Sequence, residues 1–189
     1  MANKIKRLLA AAGLAMALCL SASAQQWSVQ TNLVDYANFG TLNIEGGVAF
    51  GQHWSATAVA KLNPFRFTFK GESVSARQQL FGAGIRWWPW HVYSGWWAGT
   101  RLQFQEYNRG GINPRDKRTS EGDRYGLGLS GGYSYMINPH LNLDIGVGFW
   151  GGWDRYTTYS CPVCGLVLDK GDRAFILPND ILPALVYVF

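Results

Sequence analysis

The sequence predicts an all-β fold, an eight-stranded antiparallel up-and-down transmembrane β-barrel. Three observations predict it. About eight segments alternate apolar residues with small or polar ones, the pattern of a strand with two different faces. The chain is rich both in aromatic residues (15%) and in glycine, with 23 residues. Short and long connections alternate between the segments, as they do in bacterial membrane barrels.

The alternation defines the strands and their two faces. One face is largely apolar, and the other carries glycine, serine, asparagine, glutamine and a few charges. A solvated face would carry more lysine and glutamate, so the small polar face fits a packed lumen and the apolar face fits lipid. A soluble β-sandwich, which would bury its apolar face, is the alternative. The clearest segments are 42–50, 81–87, 96–105, 125–134 and 141–149, with weaker ones at 27–37 and 54–63 and a last strand ending at Phe189.

The connections indicate which way the barrel faces. Three are tight turns, at 51–53, 89–94 and 138–140. Three are predicted as long loops, at 64–77, 108–122 and 154–176. The first connection, around Asn38-Phe39-Gly40, is short and does not fit the alternation of short and long connections. Short periplasmic turns and long external loops place both termini in the periplasm.

Aromatic residues are predicted to form two belts, because amphipathic rings settle at membrane interfaces. The periplasmic belt comprises Trp27, Trp54, Trp87, Trp90, Trp96, Tyr133 and Phe189. The external belt comprises Tyr36, Phe65, Phe67, Phe104, Tyr107, Tyr125, Trp150 and Trp153. The ending Tyr187-Val188-Phe189 also resembles the signal that the outer-membrane barrel-assembly machinery reads, and Tyr187 and Phe189 are assigned to it.

The first 24 residues are predicted to be a secretory signal peptide. It has a positive start, an apolar run and a small-residue cleavage site, formed by Lys4, Lys6 and Arg7, by 8–20, and by Ala22-Ser23-Ala24. The apolar run is shorter than the ~20 residues of a membrane-spanning helix. We therefore assign 1–24 to a cleaved signal and 25–189 to one outer-membrane barrel domain. Three of the 17 basic residues leave with the signal, which weakens the case for nucleic-acid binding.

Short motifs follow one another in order along nearly all of the remaining chain. They are Asn32-Leu33, Leu42-Asn43-Ile44-Glu45, Trp54-Ser55, Asn63-Pro64-Phe65, Gly131-Gly132-Tyr133, Leu141-Asn142-Leu143, Ile145-Gly146-Val147-Gly148, the Cys161/Cys164-Gly165 loop and Tyr187-Val188-Phe189. Together they resemble domain-of-unknown-function family 3575, outer-membrane β-barrels typical of Bacteroidetes. The resemblance implies architecture and location and supplies no catalytic residues. Because such barrels can lie near surface-fimbria genes, it also implies a role accessory to cell-surface or fimbrial assembly. The chain departs from the family pattern at Leu177-Pro178-Asn179-Asp180.

Cys161 and Cys164 form the most chemically suggestive motif. A redox role would need a helix N-terminus beside a thiol, and a zinc site would need two more ligands. On a long loop in an oxidising compartment, a local disulfide is favoured over these states and over free thiols. Glycine spacings that begin at Gly126 and Gly146 match the dinucleotide fingerprint, but they lie inside strands, where no helix follows to bind a phosphate.

No catalytic, cofactor-binding or metal-binding residues are predicted. Most barrel enzymes need a histidine or an acid pair near the external rim to activate a nucleophile. The three histidines, His53, His91 and His140, all fall in predicted periplasmic turns. The chain is therefore expected not to be an enzyme, and a lipid-modifying barrel enzyme is the alternative.

Charged residues also occur on the predicted inward face. They are Glu45, Lys61, Arg86, Arg101 and Asp144. Because buried charges must pair, we expect ion pairs in the lumen, Arg86 with Asp144 near the periplasmic end and Glu45 with Arg101 near mid-height. A selectivity ring is the alternative. Side chains fill an eight-stranded barrel, however, which disfavours a channel.

Basic residues concentrate on the predicted external loops, as Arg66, Lys70, Arg77, Arg109, Arg115, Lys117, Arg118 and Arg124. They form either a solvated surface or contacts with lipopolysaccharide phosphates. The expected partners are outer-membrane lipid and lipopolysaccharide, the assembly machinery and a surface protein that binds the external loops, but not nucleic acid. The expected function is a structural or surface-interaction role in the outer membrane, and a narrow channel is a further alternative.

Overall fold

Antiparallel strands account for most of the folded chain. The computed structural model describes residues 27–69, 72–111, 118–161 and 165–189. This part of the chain contains nine strands and one short helix, α1 (Leu33–Ala37). The strands are β1 (Trp27–Asn32), β2 (Leu42–Ala49), β3 (Trp54–Asn63), β4 (Arg66–Phe69), β5 (Glu72–Trp87), β6 (Gly95–Gly110), β7 (Thr119–Asn138), β8 (Leu141–Tyr159) and β9 (Val167–Val188). The signal peptide predicted at 1–24 lies outside the described residues.

Eight of the strands close into a barrel. The order round the wall is β1-β2-β3-β5-β6-β7-β8-β9, and each strand is antiparallel to its neighbours. Closure comes from β9 returning to β1 over five positions, from Ser28 opposite Val188 to Asn32 opposite Ala184. The remaining strand, β4, pairs with β5 outside the ring. The predicted eight-stranded antiparallel barrel is confirmed, with one additional strand, and the single closed sheet excludes the β-sandwich.

The wall is much higher on one side than on the other. β1, β2 and β3 have 6, 8 and 10 residues, whereas β5 and β6 have 16 each and β9 has 22. The extra length of β5 to β9 forms a five-stranded ribbon beyond the closed ring. We call this side of the barrel the ribbon end and the side with the tight turns the turn end. The ribbon comprises 72–78, 105–110, 119–124, 154–159 and 167–173.

The three predicted long loops are wrong in part, because most of 64–77 and 154–176, and 108–110 and 119–122 in the remaining one, are paired strand. Polar side chains pair across these strands: Asn108 donates a hydrogen bond to Glu121 at 3.1 Å, and the hydroxyls of Ser120 and Thr158 are 3.1 Å apart. Such polar pairs between neighbouring strands stabilise the sheet without an apolar outward face. The hydrophobic alternation that identifies a half-buried strand is therefore absent here.

The first connection is not a simple turn, because it contains α1. Asn32 ends β1 and caps the helix, since its side-chain oxygen accepts the backbone N–H of Val34 at 3.0 Å. The side-chain nitrogen of Asn32 donates to the carbonyl of Ile181 on β9 at 3.2 Å. The helix therefore lies against the last strand, above the short β1. No helix in the described part of the chain is long and apolar enough to cross a membrane.

A register shift interrupts the pairing of β8 with β9. Val147 lies opposite Ile181 and Phe149 lies opposite Pro178, so β9 has one residue more than β8 over this stretch. Pro178 has no N–H to donate to a ladder, which makes such a bulge favourable. The shift falls where the sequence departs from the family pattern. It also reverses which residues of β9 face inward, odd-numbered before the bulge and even-numbered after it.

Side-chain polarity is inverted relative to a soluble barrel. On the outside, Leu102, Leu129 and Val147 are 67%, 62% and 61% exposed. The buried inward side chains are largely polar or charged and include Gln30, Asn32, Glu45, Lys61, Arg86, Arg101, Gln103, Gln105, Arg124, Asn142, Asp144 and Asp154. A soluble protein buries its apolar face, whereas a wall that faces lipid exposes it.

The predicted aromatic belts are confirmed, apart from two residues and from Phe67, whose side chain lies outside the described part of the structure. At the turn end, Trp27, Trp54, Trp87, Trp90, Trp96, Tyr133 and Phe189 are exposed. Below the ribbon, Tyr36 and Phe65 are exposed, and Phe81, Phe104, Tyr125 and Trp153 form a continuous exposed row across β5 to β8. The prediction is wrong for Tyr107 and Trp150, which are buried in the lumen. Both residues lie near the level of the belt along their strands. Their side chains face the lumen, however, because side chains alternate between the two faces of a strand.

A buried aromatic cluster closes the turn end. Trp88 is only 1% exposed, and its indole N–H donates to Ser55 Oγ at 3.1 Å. Its ring lies 5.8 Å from that of Tyr93 and 6.3 Å from that of Trp97. The sequence predicts a tight turn here, but Tyr93 and Gly95 have φ angles of 63° and 77°. These angles turn the connection back so that Tyr93 enters the barrel.

Trp88→Ala is expected to destabilise the barrel by about 3–5 kcal/mol, because it removes a buried ring and leaves a cavity. Urea titration in detergent, followed by loss of the compact form on gels, measures this. Trp90→Ala is the control, since Trp90 is 64% exposed and its loss leaves no cavity. Equal effects of the two changes would contradict the assignment of Trp88 to the closure.

Candidate functional site

The centre of the lumen contains a network of four charged side chains. Arg86 Nη2 lies 2.6 Å from Glu45 Oε1, and Arg86 Nη1 lies 3.1 Å from Asp144 Oδ2. Arg101 Nη2 lies 3.2 Å from the other oxygen of Glu45. These side chains come from β2, β5, β6 and β8, and all four are buried. The structure thus brings together all four residues of the predicted lumen ion pairs, joined in one network through Arg86.

The network closes the lumen. Arg86 also donates to Gln30 Oε1 at 3.3 Å and lies 4.5 Å above the ring of Trp97. The enclosed spaces beside Glu45 have volumes of only ≈10 Å³ each, about the size needed for one water molecule. Two arginines face two carboxylates, so the charges balance, as buried ions require.

A separate ion pair fixes α1 to the barrel interior. Lys61 Nζ on β3 lies 2.8 Å from Asp35 Oδ2 on the helix. The hydroxyl groups of Thr31 and Tyr36 are 2.7 Å apart. The sequence predicts Lys61 to face inward, but its partner could not be identified because α1 itself was not predicted.

A second charged group, the ribbon-end cluster, lies higher in the lumen. We define it as Gln78, Tyr107, Arg109, Arg124, Asp154 and Arg173. Asp154 is fully buried, and its Oδ1 accepts the Tyr107 hydroxyl at 2.9 Å. Its Oδ2 lies 2.8 Å from Arg173 Nη2 and 3.3 Å from Arg124 Nε. The guanidinium of Arg124 stacks 3.9 Å above the ring of Tyr107.

Arg109 completes this cluster without a carboxylate. Its Nη2 donates to Gln78 Oε1 at 2.6 Å, and Gln105 donates to the same oxygen at 3.0 Å. Arg109 and Arg124 were predicted to lie on external loops, and Asp154 and Arg173 fall within the predicted loop 154–176 with no role assigned to either. Continuing the alternation beyond Phe104 and Tyr125 would have predicted Tyr107, Arg109 and Arg124 to face inward.

The ribbon itself is held by hydrogen bonds from tyrosines to carboxylates. Tyr159 donates to Glu121 Oε1 at 2.6 Å, and Tyr156 donates to Asp169 Oδ2 at 2.9 Å. The first bond raises the pKa of Tyr159, because ionisation of the phenol would break it. An exposed pair of Arg155 and Asp172, 3.4 Å apart, lies on the outward face.

A cavity of about 740 Å³ opens at this end of the barrel. Its lining includes Asn63 at the top of β3 and Gln78, Tyr107 and Tyr156 on the high side of the wall. It also includes charged residues of both signs, Arg77, Glu106, Glu121, Asp123, Arg155, Lys170 and Asp172. No group of three or more His, Cys, Asp or Glu side chains in the described ranges is arranged to hold a metal ion. The cavity therefore offers hydrogen-bonding groups and charges of both signs to a polar molecule.

The chain matches the family described as Protein of unknown function (DUF3575) over residues 10–189. It belongs to the DUF3575 family. The resemblance found in its motifs is therefore confirmed. No curated protein matches the sequence of this DUF3575 chain. Its fold is similar to the crystal structure of the outer membrane protein OprG from Pseudomonas aeruginosa, with 14% identity, 86% of this chain and 90% of that chain covered, and a TM-score of 0.44.

The other predicted residues of the DUF3575 barrel lie apart from these clusters. Cys161 is disulfide-bonded, and Cys164 lies outside the described residues. Tyr187 and Phe189 are exposed at the turn end with their rings 4.9 Å apart. The Nδ1 atoms of the histidines lie within hydrogen-bond distance of backbone carbonyls, His53 with Trp88 at 2.9 Å, His91 with Val92 at 3.1 Å and His140 with Val188 at 3.0 Å.

Arg86→Gln is expected to destabilise the barrel by about 3–5 kcal/mol, because Glu45 and Asp144 lose their shared partner. Asp144→Asn should then lower the free energy of unfolding less in the Arg86→Gln background than in the wild type, because the two positions are coupled. Urea titration of the four chains of this cycle measures the coupling. Arg155→Gln, at an exposed pair, is the control and should cost less than about 1 kcal/mol. Additive effects of the two central changes would contradict the network.

Glu121→Gln is expected to lower the pKa of Tyr159 toward its ordinary value. The neutral phenol is the donor, so the bond to Glu121 is present at neutral pH and is lost as pH rises through the raised pKa of Tyr159, above about 10. Nuclear magnetic resonance of ring-labelled tyrosine, assigned with Tyr159→Phe, measures this pKa. Glu106→Gln serves as the control. An unchanged titration in Glu121→Gln would show that this hydrogen bond is not the cause.

Proposed function

We propose that this DUF3575 chain is an outer-membrane β-barrel with a structural or surface-interaction role and no catalytic activity. The observation that carries the proposal is the inverted polarity of the wall, apolar outside and charged inside. Exposed apolar surface over most of the circumference would be a severe aggregation hazard in water. In a bilayer the same apolar surface contacts lipid tails, which are its favourable surroundings.

The height of the apolar band supports a membrane location. On β6 the band runs from the exposed Trp96 to the exposed Phe104, a distance of about 26 Å along the strand at ~3.3 Å per residue. Aromatic residues lie at both limits, as in the girdles of membrane barrels. Directly beyond the upper row, Glu106, Asp123 and Arg155 occupy the next outward register positions. This sequence of apolar, aromatic and charged rows matches lipid tails, interface and headgroups.

The unequal ends of the barrel support an orientation. Tight turns are typical of the periplasmic side and long connections of the external side. We therefore assign the turn end, with the assembly signal at Tyr187 and Phe189, to the periplasm and the ribbon to the cell surface. Export through the signal peptide at 1–24 is part of this proposal.

The packing of the lumen supports a structural role over transport. The turn-end cluster around Trp88 and the network around Arg86 fill successive levels of the barrel, which leaves no width for a narrow channel. The histidines support the non-enzymatic part of the proposal, since they lie at the turn end, away from external lipid. The ribbon then offers the surface through which lipopolysaccharide or a surface or fimbrial protein would be contacted.

Leu129→Arg tests the membrane location. Leu129 lies midway between Tyr125 and Tyr133 on the outward face of β7 and is 62% exposed. In a bilayer, arginine at this depth costs about 2–4 kcal/mol, so the amount of folded barrel recovered from outer membranes should fall. In a soluble protein the same exposed change would be nearly neutral. The readout is the heat-modifiable band on gels of fractionated membranes, run with and without boiling.

Glu106→Arg, an outward change to the same residue on the ribbon, is the matched control and should leave that band unchanged. Protease added to whole cells should cut the ribbon and leave the turn end intact. Recovery of wild-type protein in the soluble periplasmic fraction, or indifference to Leu129→Arg, would overturn the membrane location.

A further inference from the structure

The upper half of β9 has a neighbouring strand on one side only. From Val167 to Pro178 it pairs with β8, and within the described ranges no strand pairs with its other edge over this stretch. The reason lies in β1, which meets β9 only between Ala184 and Val188 and is followed by α1. Above α1, alternate residues of β9 therefore direct their backbone N–H and C=O groups away from the sheet.

The residues that face this open edge can be identified from the lower part of the strand. The carbonyl of Ile181 points away from β8, because it accepts the side-chain nitrogen of Asn32 at 3.2 Å. Val147 lies opposite Ile181, so Val147 and the other odd-numbered residues of β8 direct their backbone groups toward β7. Lys170 and Asp172 both lie opposite odd-numbered residues of β8. Their backbone N–H and C=O groups therefore point to the open edge.

The chain closes this edge beside α1 and leaves it open higher up. Beside α1, Asn32 occupies the carbonyl of Ile181, and Pro183, two residues further on, faces the same side without an N–H. The stretch 166–177 contains no proline. Its tip carries apolar residues that are 65%, 50% and 52% exposed, Leu166, Val167 and Leu168. Unpaired backbone and exposed apolar side chains are together the features of an edge that another strand can cover.

The middle of the open stretch carries charges of alternating sign around a glycine, in the order Asp169, Lys170, Gly171, Asp172 and Arg173. In the reverse direction the same positions carry the opposite charges. An antiparallel strand with this order would therefore place a base opposite each acid and an acid opposite each base, which is favourable across a sheet. Charges on an edge oppose indiscriminate pairing, so this order selects for a strand with matching charges.

We propose that the open edge of β9 is a docking site for an extended segment of another polypeptide, which adds to the ribbon as an antiparallel strand. An extended backbone is the ligand whose N–H and C=O groups repeat at the spacing of the edge. Its side chains are basic opposite Asp169 and Asp172 and acidic opposite Lys170 and Arg173. This deepens the proposed surface-interaction role by naming the surface, and it rests on the external position of the ribbon.

A second copy in the same membrane does not fit this edge. The strands of membrane barrels are tilted by ~35–45°, and β9 runs from the cell surface to the periplasm in every copy. A twofold axis along the membrane normal would bring two such edges together at roughly twice the tilt angle, far from antiparallel. The docking strand therefore belongs to a separate partner outside the membrane.

The test uses the full barrel in lipid nanodiscs and a synthetic peptide with the sequence of 166–176, whose charges match the edge when it binds antiparallel. One version is N-methylated at Asp169 and Arg173 and keeps the amides that would face β9. The other is N-methylated at Lys170 and Asp172 and loses them. The first should bind at least about tenfold more tightly, because the second cannot form two backbone hydrogen bonds. Fluorescence anisotropy of labelled peptide measures both affinities.

Hydrogen exchange shows where the peptide binds. In the free barrel the amides of Lys170 and Asp172 should exchange fast, whereas those of Gly171 and Arg173 should exchange slowly because they face β8. Bound peptide should slow the exchange of the first two amides. If these amides are already protected in the free barrel, the edge is not open and the proposal is wrong.

Lys170→Glu tests the charge match. It places a like charge opposite Asp172 of the peptide and should weaken binding about fivefold. A peptide that carries Asp172→Lys should restore binding to this variant. Arg77→Glu is the matched control, since Arg77 is exposed on the same outward row at the other side of the ribbon and should keep full binding. Heat-modifiability on gels verifies that each variant is folded.

The proposal is overturned if neither methylated peptide binds, if both bind equally well, or if Lys170→Glu and Arg77→Glu have the same effect. Pairing of the nanodiscs through β9 without peptide would assign the edge to a second copy and overturn the assignment to a separate partner. These outcomes leave the membrane location untouched, because Leu129→Arg tests that location independently.

Discussion

The narrow bore of an eight-stranded barrel brings every inward charged side chain into contact with other side chains, and Arg86 shows the consequence. From β5 its guanidinium reaches Glu45 on β2 and Asp144 on β8, with Gln30 of β1 also in reach. One residue thereby ties together strands that are distant along the wall. Ions that are removed from water must be paired with opposite charges. The inward face of so narrow a barrel can therefore carry a charge only where an opposite charge lies beside it. The closed centre and its lack of free volume both follow from that matching.

The architecture of the ring was predictable because it depends on a repeated pattern. From Trp96 to Phe104 and from Leu141 to Phe149, apolar and polar residues alternate strictly, and one face must meet lipid if the other packs a lumen. The four residues of the central network were predictable for the same reason, since each lies on the small, polar face. Both predicted pairs, Arg86 with Asp144 and Glu45 with Arg101, are present. The additional contact of Arg86 with Glu45 was not predicted, because it depends on the stagger between strands, which a residue's position along its own strand does not specify.

The ribbon and its cluster were not predictable in this way. Above Tyr125 the outward residues become polar, so the alternation disappears although the backbone pairing continues to Thr119. Arg124 and Asp154 then look like loop residues in the sequence. Cross-strand hydrogen bonds between polar side chains stabilise this region, and they depend on register rather than on hydrophobicity. Helix α1 was missed because five residues capped by Asn32 are too few to show a periodic pattern.

The five residue pairs between β1 and β9 join the two ends of the described chain. Contacts so distant in sequence form only after a large loss of chain entropy, which makes them late events in folding. Before β9 has been made, the nascent chain can form only an open sheet with two unpaired edges, and such edges readily pair with other chains. The protein therefore gains no protection by folding as it is synthesised. We therefore expect the ring to close only after its final strand is available.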